Sequence, residues 1–173
     1  MVLTFLIMAI LIFADQWIKF WAQTKLVAAG GYMPLWGKFV ELRYVQNTGA
    51  AFSIGENSTL FFIIFTTIML ICIMVLILHL YKRKIHLLHW SLVLIMAGGI
   101  GNLIDRICYG YVVDMFNFAF FDFPVFNFAD VIICIGTGLL FLFILFFYDK
   151  HFDDKKKKEQ IQEPSEGEDG AGI

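Results

Sequence analysis

The sequence predicts a polytopic α-helical membrane protein with four transmembrane helices and a small extracytoplasmic loop region that contains β-structure. Of its 173 residues, 60% are hydrophobic and only 16% are charged, whereas soluble domains are about 45–50% apolar and about 25% charged. The apolar residues lie in long runs, each of which can cross about 30 Å of hydrocarbon as a helix. Basic residues are concentrated in alternate loops, as expected for a chain that crosses the membrane repeatedly.

The first predicted span covers residues 1–21, and its polar side chains are Thr4, Asp15, Gln16 and Lys19. A cleavable secretory signal peptide is the alternative interpretation of this stretch. However, no basic residue precedes the apolar run and Asp15 interrupts it, and both features are unlike a signal peptide. We therefore expect a transmembrane helix.

The segment between the first and second spans, residues 23–59, is mixed in character and contains several glycines. Within it, residues 39–45 (FVELRYV) alternate roughly between apolar and polar side chains, which is typical of a short strand. The second predicted span covers residues 60–80, and the basic residues at 82–84 stop it.

The third predicted span extends from His86 to about Ile104 and is glycine-rich at its C-terminal end. A polar and aromatic loop then continues to Phe126, and the fourth span follows it. We therefore expect a transmembrane domain over residues 1–150 and a charged cytoplasmic tail over residues 151–173. The tail is polar and acidic at its end, so disorder is expected there.

Charge orients the predicted bundle in the membrane. The loop after the second span and the segment after the fourth contain most of the basic residues: Lys82, Arg83, Lys84, Lys150 and Lys155 to Lys158. Because positively charged loops tend to stay in the cytoplasm, both termini are expected to be cytoplasmic. The loops after the first and third spans are then external, so the polar residues beside them converge on the outer face.

Two aspartates, Asp114 and Asp130, lie beside long apolar runs in successive parts of the chain. An ionised carboxylate at the edge of hydrocarbon is costly, so it usually faces a cavity or a partner and marks a function. Together they predict a shared acid/base site. For Asp130 a simple helix cap is the alternative, since Asn127 precedes it by three residues at the start of the fourth span.

Asp15 and Lys19 are four residues apart on a predicted helix, with the acid before the base, and this order favours an ion pair. Gln16 adds hydrogen-bonding capacity beside them. The pair is interpreted either as part of a functional site or as a structural ion pair that ends the span.

Residues 98–106 (GGIGNLIDR) partly match a dinucleotide-binding loop, but Ile104 occupies the position of the third glycine and no βαβ unit surrounds the stretch. The glycines instead favour close approach of a neighbouring helix. By their spacing, Asn102, Asp105 and Arg106 share one helix face. We expect Asp105 and Arg106 to form a structural ion pair or capping network, with substrate contact as the alternative.

Five motifs together resemble the bacterial lipoprotein signal peptidases, also called signal peptidase II. In chain order they are DQWIK (15–19), NTGAAFS (47–53), GGIGNLIDR (98–106), VVDMF (112–116) and FNFAD (126–130). They follow the family's order and approximate spacing and extend from the first span to the fourth, leaving out little but the acidic tail. The chain departs from the family in two details, because no basic residue precedes the first span and the tail is unusually acidic.

The resemblance implies an aspartic endopeptidase of the bacterial inner membrane that removes signal peptides from prolipoproteins. Cleavage is expected at the outer face, immediately before a cysteine that carries a diacylglyceryl group. The family's catalytic pair falls on Asp114 and Asp130. The supporting and substrate-binding candidates are Asp15, Asn47, Gly49, Asn102, Asp105, Arg106, Asn127 and Ala129 from the resemblance, with Lys19 added from the predicted ion pair.

Two close carboxylates can hydrolyse an amide without a covalent intermediate. Because both cannot ionise easily, one keeps its proton while the charged one activates a water molecule. No metal-binding spacing links the cysteines and histidines, so we expect neither a metal nor another cofactor. The expected partners are diacylglyceryl-modified prolipoproteins and membrane lipids, with no nucleic acid, and the enzyme is expected to act as a monomer. The phenylalanines between the two aspartates could cover a bound lipid.

A proton-coupled small membrane transporter is the main alternative function, but it would normally need polar residues on both faces of the membrane. A scaffolding membrane protein would not need clustered acids. An intramembrane protease of the presenilin type would carry a GxGD string, which this sequence lacks. A serine peptidase is disfavoured because no serine pairs plausibly with any of the histidines, which fall toward the cytoplasmic side.

Overall fold

The computed structural model describes residues 1–37, 39–49, 58–83 and 85–162, with side chains described as far as residue 147. Within this part of the chain, four helices are long and apolar enough to cross a membrane. The helices are α1 (Val2–Trp21), α2 (Thr59–Leu80), α3 (His86–Tyr109) and α4 (Phe128–Gln162). This confirms the polytopic helical architecture.

Two helices extend beyond their predicted ends. A π-helical turn over Ala22–Leu26 continues α1, and α3 passes Ile104 and ends at Tyr109. Gly110 follows α3 with a φ of 80°, in the left-handed conformation that commonly terminates a helix. The backbone N–H of Gly110 donates to the carbonyl of Arg106 there.

The third helix is the centre of the bundle. It packs against α1, α2 and α4, and 50% of its most apolar stretch is buried, against 22% or less in the other spans. Its glycines permit this packing, because a β-carbon at Gly98 would lie 2.5 Å from the Ala129 carbonyl oxygen. The predicted role of these glycines in close helix contact is therefore confirmed.

A three-stranded antiparallel sheet lies beside the helices, in the order β1 (Tyr32–Trp36), β2 (Val40–Asn47) and β3 (Val112–Phe118). The predicted strand at residues 39–45 corresponds to β2, while β1 and β3 were not predicted. In the β2–β3 register Val45 lies opposite Asp114. The sheet therefore brings the end of the first loop next to one of the two candidate aspartates.

The fourth helix continues through residues 151–162, where the sequence analysis expects disorder. Lysine, glutamate and glutamine predominate after residue 154, and their high helix propensity accounts for the continuation. Residues 163–173 and residues 50–53 of the NTGAAFS motif lie outside the described residues. The division of the chain at residue 150 remains a prediction.

Candidate active site

Asp114 and Asp130 line the same cavity, which has a volume of about 610 Å³. Asp114 belongs to β3, and Asp130 lies in the first turn of α4. Four further candidates from the sequence also line this cavity: Asn47, Gly49, Asn102 and Arg106. The structure therefore joins residues from the first loop, α3, β3 and α4 in one site.

Asp114 accepts two hydrogen bonds from amide side chains. Asn47 Nδ2 donates to Asp114 Oδ2 at 2.9 Å, and Asn127 Nδ2 donates to Asp114 Oδ1 at 2.6 Å. The register of β2 against β3 explains the first contact, since Asn47 ends β2 opposite Val112. Both donors are neutral, so they orient the carboxylate without supplying a full positive charge.

Asp130 likewise accepts two hydrogen bonds from neutral donors. Asn102 Nδ2 donates to Asp130 Oδ1 at 2.8 Å, and the backbone N–H of Asn127 donates to Asp130 Oδ2 at 3.0 Å. The backbone N–H of Asp130 in turn donates to Asn127 Oδ1 at 3.0 Å, which is the reciprocal pattern of a capping box. Asp130 therefore caps α4 and lines the cavity at the same time.

Asp114 is only 2% exposed, so its carboxyl group is buried. Burial raises its pKa from the usual 3.8 to about 7, and the nearby charge of Asp130 acts in the same direction. The hydrogen bonds from Asn47 and Asn127 oppose this rise only in part. At neutral pH the site can therefore hold one proton and one negative charge, which general acid/base chemistry requires.

The predicted ion pair between Asp15 and Lys19 forms, with Lys19 Nζ 3.0 Å from Asp15 Oδ2. Lys19 Nζ is also 3.0 Å from Asp105 Oδ2. Asp105 therefore forms a structural ion pair, as expected, but among the described residues its partner is Lys19 and not Arg106. Adjacent residues on a helix point in different directions, and the buried lysine from α1 lies within reach of Asp105 instead.

Arg106 faces the cavity and contacts backbone oxygens. Its Nη2 donates to the Gly49 carbonyl at 3.1 Å and its Nη1 to the Asn102 carbonyl at 3.4 Å, while the guanidinium lies over the Phe62 ring at 5.2 Å. Its Nε is buried and has no hydrogen-bond partner among the described residues.

The two small candidates, Gly49 and Ala129, act through their backbones. The Gly49 N–H donates to Asn47 Oδ1 at 3.0 Å, which fixes the Asn47 amide that contacts Asp114. Ala129 is completely buried, and its N–H donates to Asp15 Oδ1 at 2.9 Å. Neither Ala129 nor Asp15 lines the cavity.

The apolar wall of the cavity was only partly predicted. It is formed by Val112, Phe118, Phe123, Pro124, Val125, Phe126, Val131, Ile133, Cys134 and Ile135. Phe118 and Phe123 belong to the predicted aromatic cover, and Phe120 and Phe121 pack against Phe118. The residues from α4 were missed, although their position within about a turn and a half after Asp130 could have indicated them.

Fold and site together define a class of protein: a multi-span membrane protein that presents two carboxylates to one cavity. Residues 7–146 match the family described as Signal peptidase (SPase) II. The chain therefore belongs to the signal peptidase II family.

Individual relatives agree with this assignment. The Lipoprotein signal peptidase of Caldanaerobacter subterraneus subsp. tengcongensis is 40% identical over 140 residues, which cover 81% of this chain and 94% of the relative. The Lipoprotein signal peptidase of Enterococcus faecalis is 36% identical over 162 residues, covering 92% of this chain and 94% of the relative.

Two solved structures described as bacterial membrane enzymes share the fold. One has a TM-score of 0.73 at 28% identity, and the match covers 85% of this chain and 95% of the solved chain. The other has a TM-score of 0.71 at 24% identity, and the match covers 99% of this chain and 96% of the solved chain. The chain is a membrane peptidase that removes signal peptides from prolipoproteins, and the transporter alternative finds no support.

Proposed function

We propose that Asp114 and Asp130 are the catalytic pair of this peptidase. The observation that carries the proposal is their shared cavity, in which each carboxylate accepts two hydrogen bonds from neutral donors. Cleavage takes place immediately before a cysteine that carries a diacylglyceryl group. The site faces the outer side of the inner membrane, and the enzyme acts as a monomer.

The pair shares one proton. The charged carboxylate takes a proton from a water molecule as the water oxygen attacks the scissile carbonyl carbon. The neutral carboxyl group donates its proton to the carbonyl oxygen, which gives a tetrahedral intermediate. That intermediate collapses as the C–N bond breaks and a proton passes to the leaving amine. The raised pKa of Asp114, about 7, supports a proton that is available near neutral pH.

Arg106 binds the substrate backbone in this proposal. Arg106 lines the cavity together with both aspartates, and its guanidinium group is a hydrogen-bond donor that a peptide carbonyl from the signal peptide can meet there. The bonds from Arg106 to the carbonyls of Gly49 and Asn102 hold the guanidinium in place for it.

The apolar wall holds the acyl chains of the substrate. It runs from Phe118 and Phe126 near the carboxylates to Ile135, which is 52% exposed on the lipid-facing side of α4. Burial of acyl chains contributes roughly 0.8 kcal/mol per CH₂ group, so lipid contact can dominate the orientation of a flexible peptide. A peptide without the lipid would seldom hold its scissile bond between the aspartates.

The test compares one precursor sequence with and without the diacylglyceryl group, using the same purified enzyme in detergent. We expect cleavage of the modified form at the bond before the cysteine, and a rate lower by at least about 100-fold for the unmodified form. Equal cleavage of both forms would mean that the apolar wall is structural and that specificity lies in the peptide.

A further inference from the structure

Lys19 is 2% exposed and does not line the cavity between the two aspartates, yet its ammonium group is at the centre of the polar network behind them. It contacts Asp15 Oδ2 and Asp105 Oδ2 at 3.0 Å each, and it donates to Asn102 Oδ1 at 2.9 Å. Gln16 completes the cluster by donating to both acids, at 3.2 Å and 3.0 Å.

The first acidic partner of Lys19 holds the chain beside Asp130. Asp15 Oδ1 accepts a hydrogen bond from the backbone N–H of Ala129 at 2.9 Å, and Ala129 immediately precedes Asp130. The Lys19–Asp15 pair therefore fixes the start of α4 against α1.

The second acidic partner does the same beside Asp114. Asp105 Oδ2 accepts a hydrogen bond from the backbone N–H of Val113 at 3.0 Å, and Val113 immediately precedes Asp114. One ammonium group thus joins two carboxylates, and each carboxylate holds the residue before one of the proposed catalytic aspartates.

Lys19 also fixes the orientation of the Asn102 side-chain amide. A lysine ammonium group only donates, so it must face the oxygen of Asn102. The same Asn102 oxygen accepts from Asn127 Nδ2 at 3.1 Å. The Asn102 NH₂ group is therefore left to face Asp130, to which it donates at 2.8 Å.

We propose that Lys19 is a positioning residue for the peptidase reaction: it sets the spacing of Asp114 and Asp130 and the direction of the Asn102 donor without touching the substrate. The inference rests on the proposed function, in which those two aspartates are the catalytic pair.

The charge of Lys19 gives this role a measurable signature. The charged groups that act on Lys19 or on Asp114 are Asp15 from α1, Asp105 and Arg106 from α3, and Asp130 from α4. The positive charge of Lys19 lowers the pKa of Asp114 and so opposes the effect of burial. Without that charge the pKa of Asp114 rises further, and the alkaline limb of the pH–activity profile, where Asp114 loses its proton, moves to higher pH.

The experiment compares Lys19→Met with Lys25→Met, an exposed lysine on the turn that continues α1. We expect Lys19→Met to lower kcat on the order of 10- to 100-fold per folded molecule, because small misplacements of reacting groups cost that much. KM should change little, since Lys19 does not line the cavity, and the alkaline limb of the pH–activity profile should move to higher pH. Lys25→Met should leave all three quantities at wild-type values.

Lys19→Met leaves two buried carboxylates without their cation, which destabilises the fold. Two further variants test the proposal if that variant does not fold. Lys19→Arg retains the charge and should keep the wild-type pH profile. The double variant Asp15→Asn with Lys19→Met removes one acid with the cation, which preserves the formal charge of the cluster, and its kcat should still fall.

A folded Lys19→Met or double variant with wild-type kcat and pH profile would overturn the positioning role. If Asp114→Asn and Asp130→Asn are inactive in the same assay, only this inference fails. If those two variants instead retain activity, the proposed catalytic pair fails.

Discussion

Gly101 on α3 lies so close to Asp15 on α1 that a β-carbon at position 101 would overlap the Asp15 carboxylate. Asp15 cannot easily move away, because Lys19, Gln16 and the Ala129 N–H all hold it. The contact shows why a glycine is needed where α3 meets the polar network. It also links the packing of two spans directly to the site.

Gly101→Ala is therefore expected to lower both stability and activity. Overpacking a tight contact costs about 1–3 kcal/mol, and here the displaced group anchors the residue before Asp130. Gly138→Ala on α4 is the matched control, since a β-carbon there would meet nothing within 4 Å. It should be neutral or stabilising by up to about 1 kcal/mol. Thermal unfolding and turnover in detergent measure both, and a Gly101→Ala protein with wild-type values would contradict this account.

Asp114→Asn and Asp130→Asn are each expected to reduce cleavage by at least about 1,000-fold while leaving the protein folded. Asparagine keeps the shape of the side chain but can neither carry the charge nor exchange the proton. Asp122→Asn is the control. Asp122 is an exposed acid in the loop between β3 and α4, and it does not line the cavity, so its variant should cleave normally. Full activity in either purified asparagine variant would exclude the two-aspartate mechanism.

The raised pKa of Asp114 also predicts a pH-dependent stability. The folded protein holds this proton up to about pH 7, whereas the unfolded chain releases it near 3.8. Asp114 therefore stabilises the fold least above pH 7, and its contribution decreases as pH rises from about 3.8 to 7.

The Asp114→Asn side chain cannot ionise, so the variant does not lose this stability as pH rises. The melting temperature of the variant minus that of the wild type should therefore increase from pH 4 to pH 8. The difference in unfolding free energy should be on the order of a few kcal/mol. Thermal unfolding of both proteins in one detergent across that pH range measures it. A constant difference would show that Asp114 ionises as an ordinary aspartate does.

The sequence predicted the spans well because each is a long apolar run, and it predicted the Asp15–Lys19 contact because four-residue spacing brings side chains together on a helix. It did not predict β3. Val112–Phe118 lacks a regular apolar–polar alternation because consecutive residues from Val112 to Met115 are all buried, so neither face of this part of the strand is exposed to solvent. The strand that pairs with β3 is β2, which is far away in the sequence, so local sequence patterns do not predict the pairing.

The partner of Asp105 was not predicted, for a related reason. Spacing within α3 shows which residues share a helix face, but it cannot show that α1 places a lysine 3.0 Å from Asp105. The catalytic candidates were found through the resemblance of whole motifs, whereas the hydrogen bonds from Asn127 to Asp114 and from Asn102 to Asp130 required the folded chain.

The proposed orientation can be tested by thiol labelling in intact spheroplasts. Cys72, Cys108 and Cys134 are exposed and must first be replaced. With a membrane-impermeant reagent, Leu35→Cys should then react, because Leu35 is 57% exposed on β1 in the first loop. Gly167→Cys should be protected until the cells are lysed, as the basic segments predict a cytoplasmic tail. The reverse pattern would place the cavity on the cytoplasmic side.

Ile135→Trp tests the proposed acyl-chain contact. Ile135 lines the cavity at its lipid-facing end, so a bulky ring there should fill the space assigned to an acyl chain and raise KM for the modified precursor, by roughly 10-fold if two CH₂ groups are displaced. Ile144→Trp is the matched control, because Ile144 is 53% exposed on the same helix and does not line the cavity.

The two tryptophan variants should be equally stable, since both replace an exposed isoleucine of α4. Ile135 lies more than one helical turn after Asp130 on α4 and is not one of the two carboxylates, so kcat at saturating precursor should stay near the wild-type value in both variants. Steady-state cleavage of the modified precursor in mixed detergent–lipid micelles gives both constants. If Ile135→Trp and Ile144→Trp share the wild-type KM, the acyl chains do not bind along this wall, and the lipid must be recognised elsewhere on the protein.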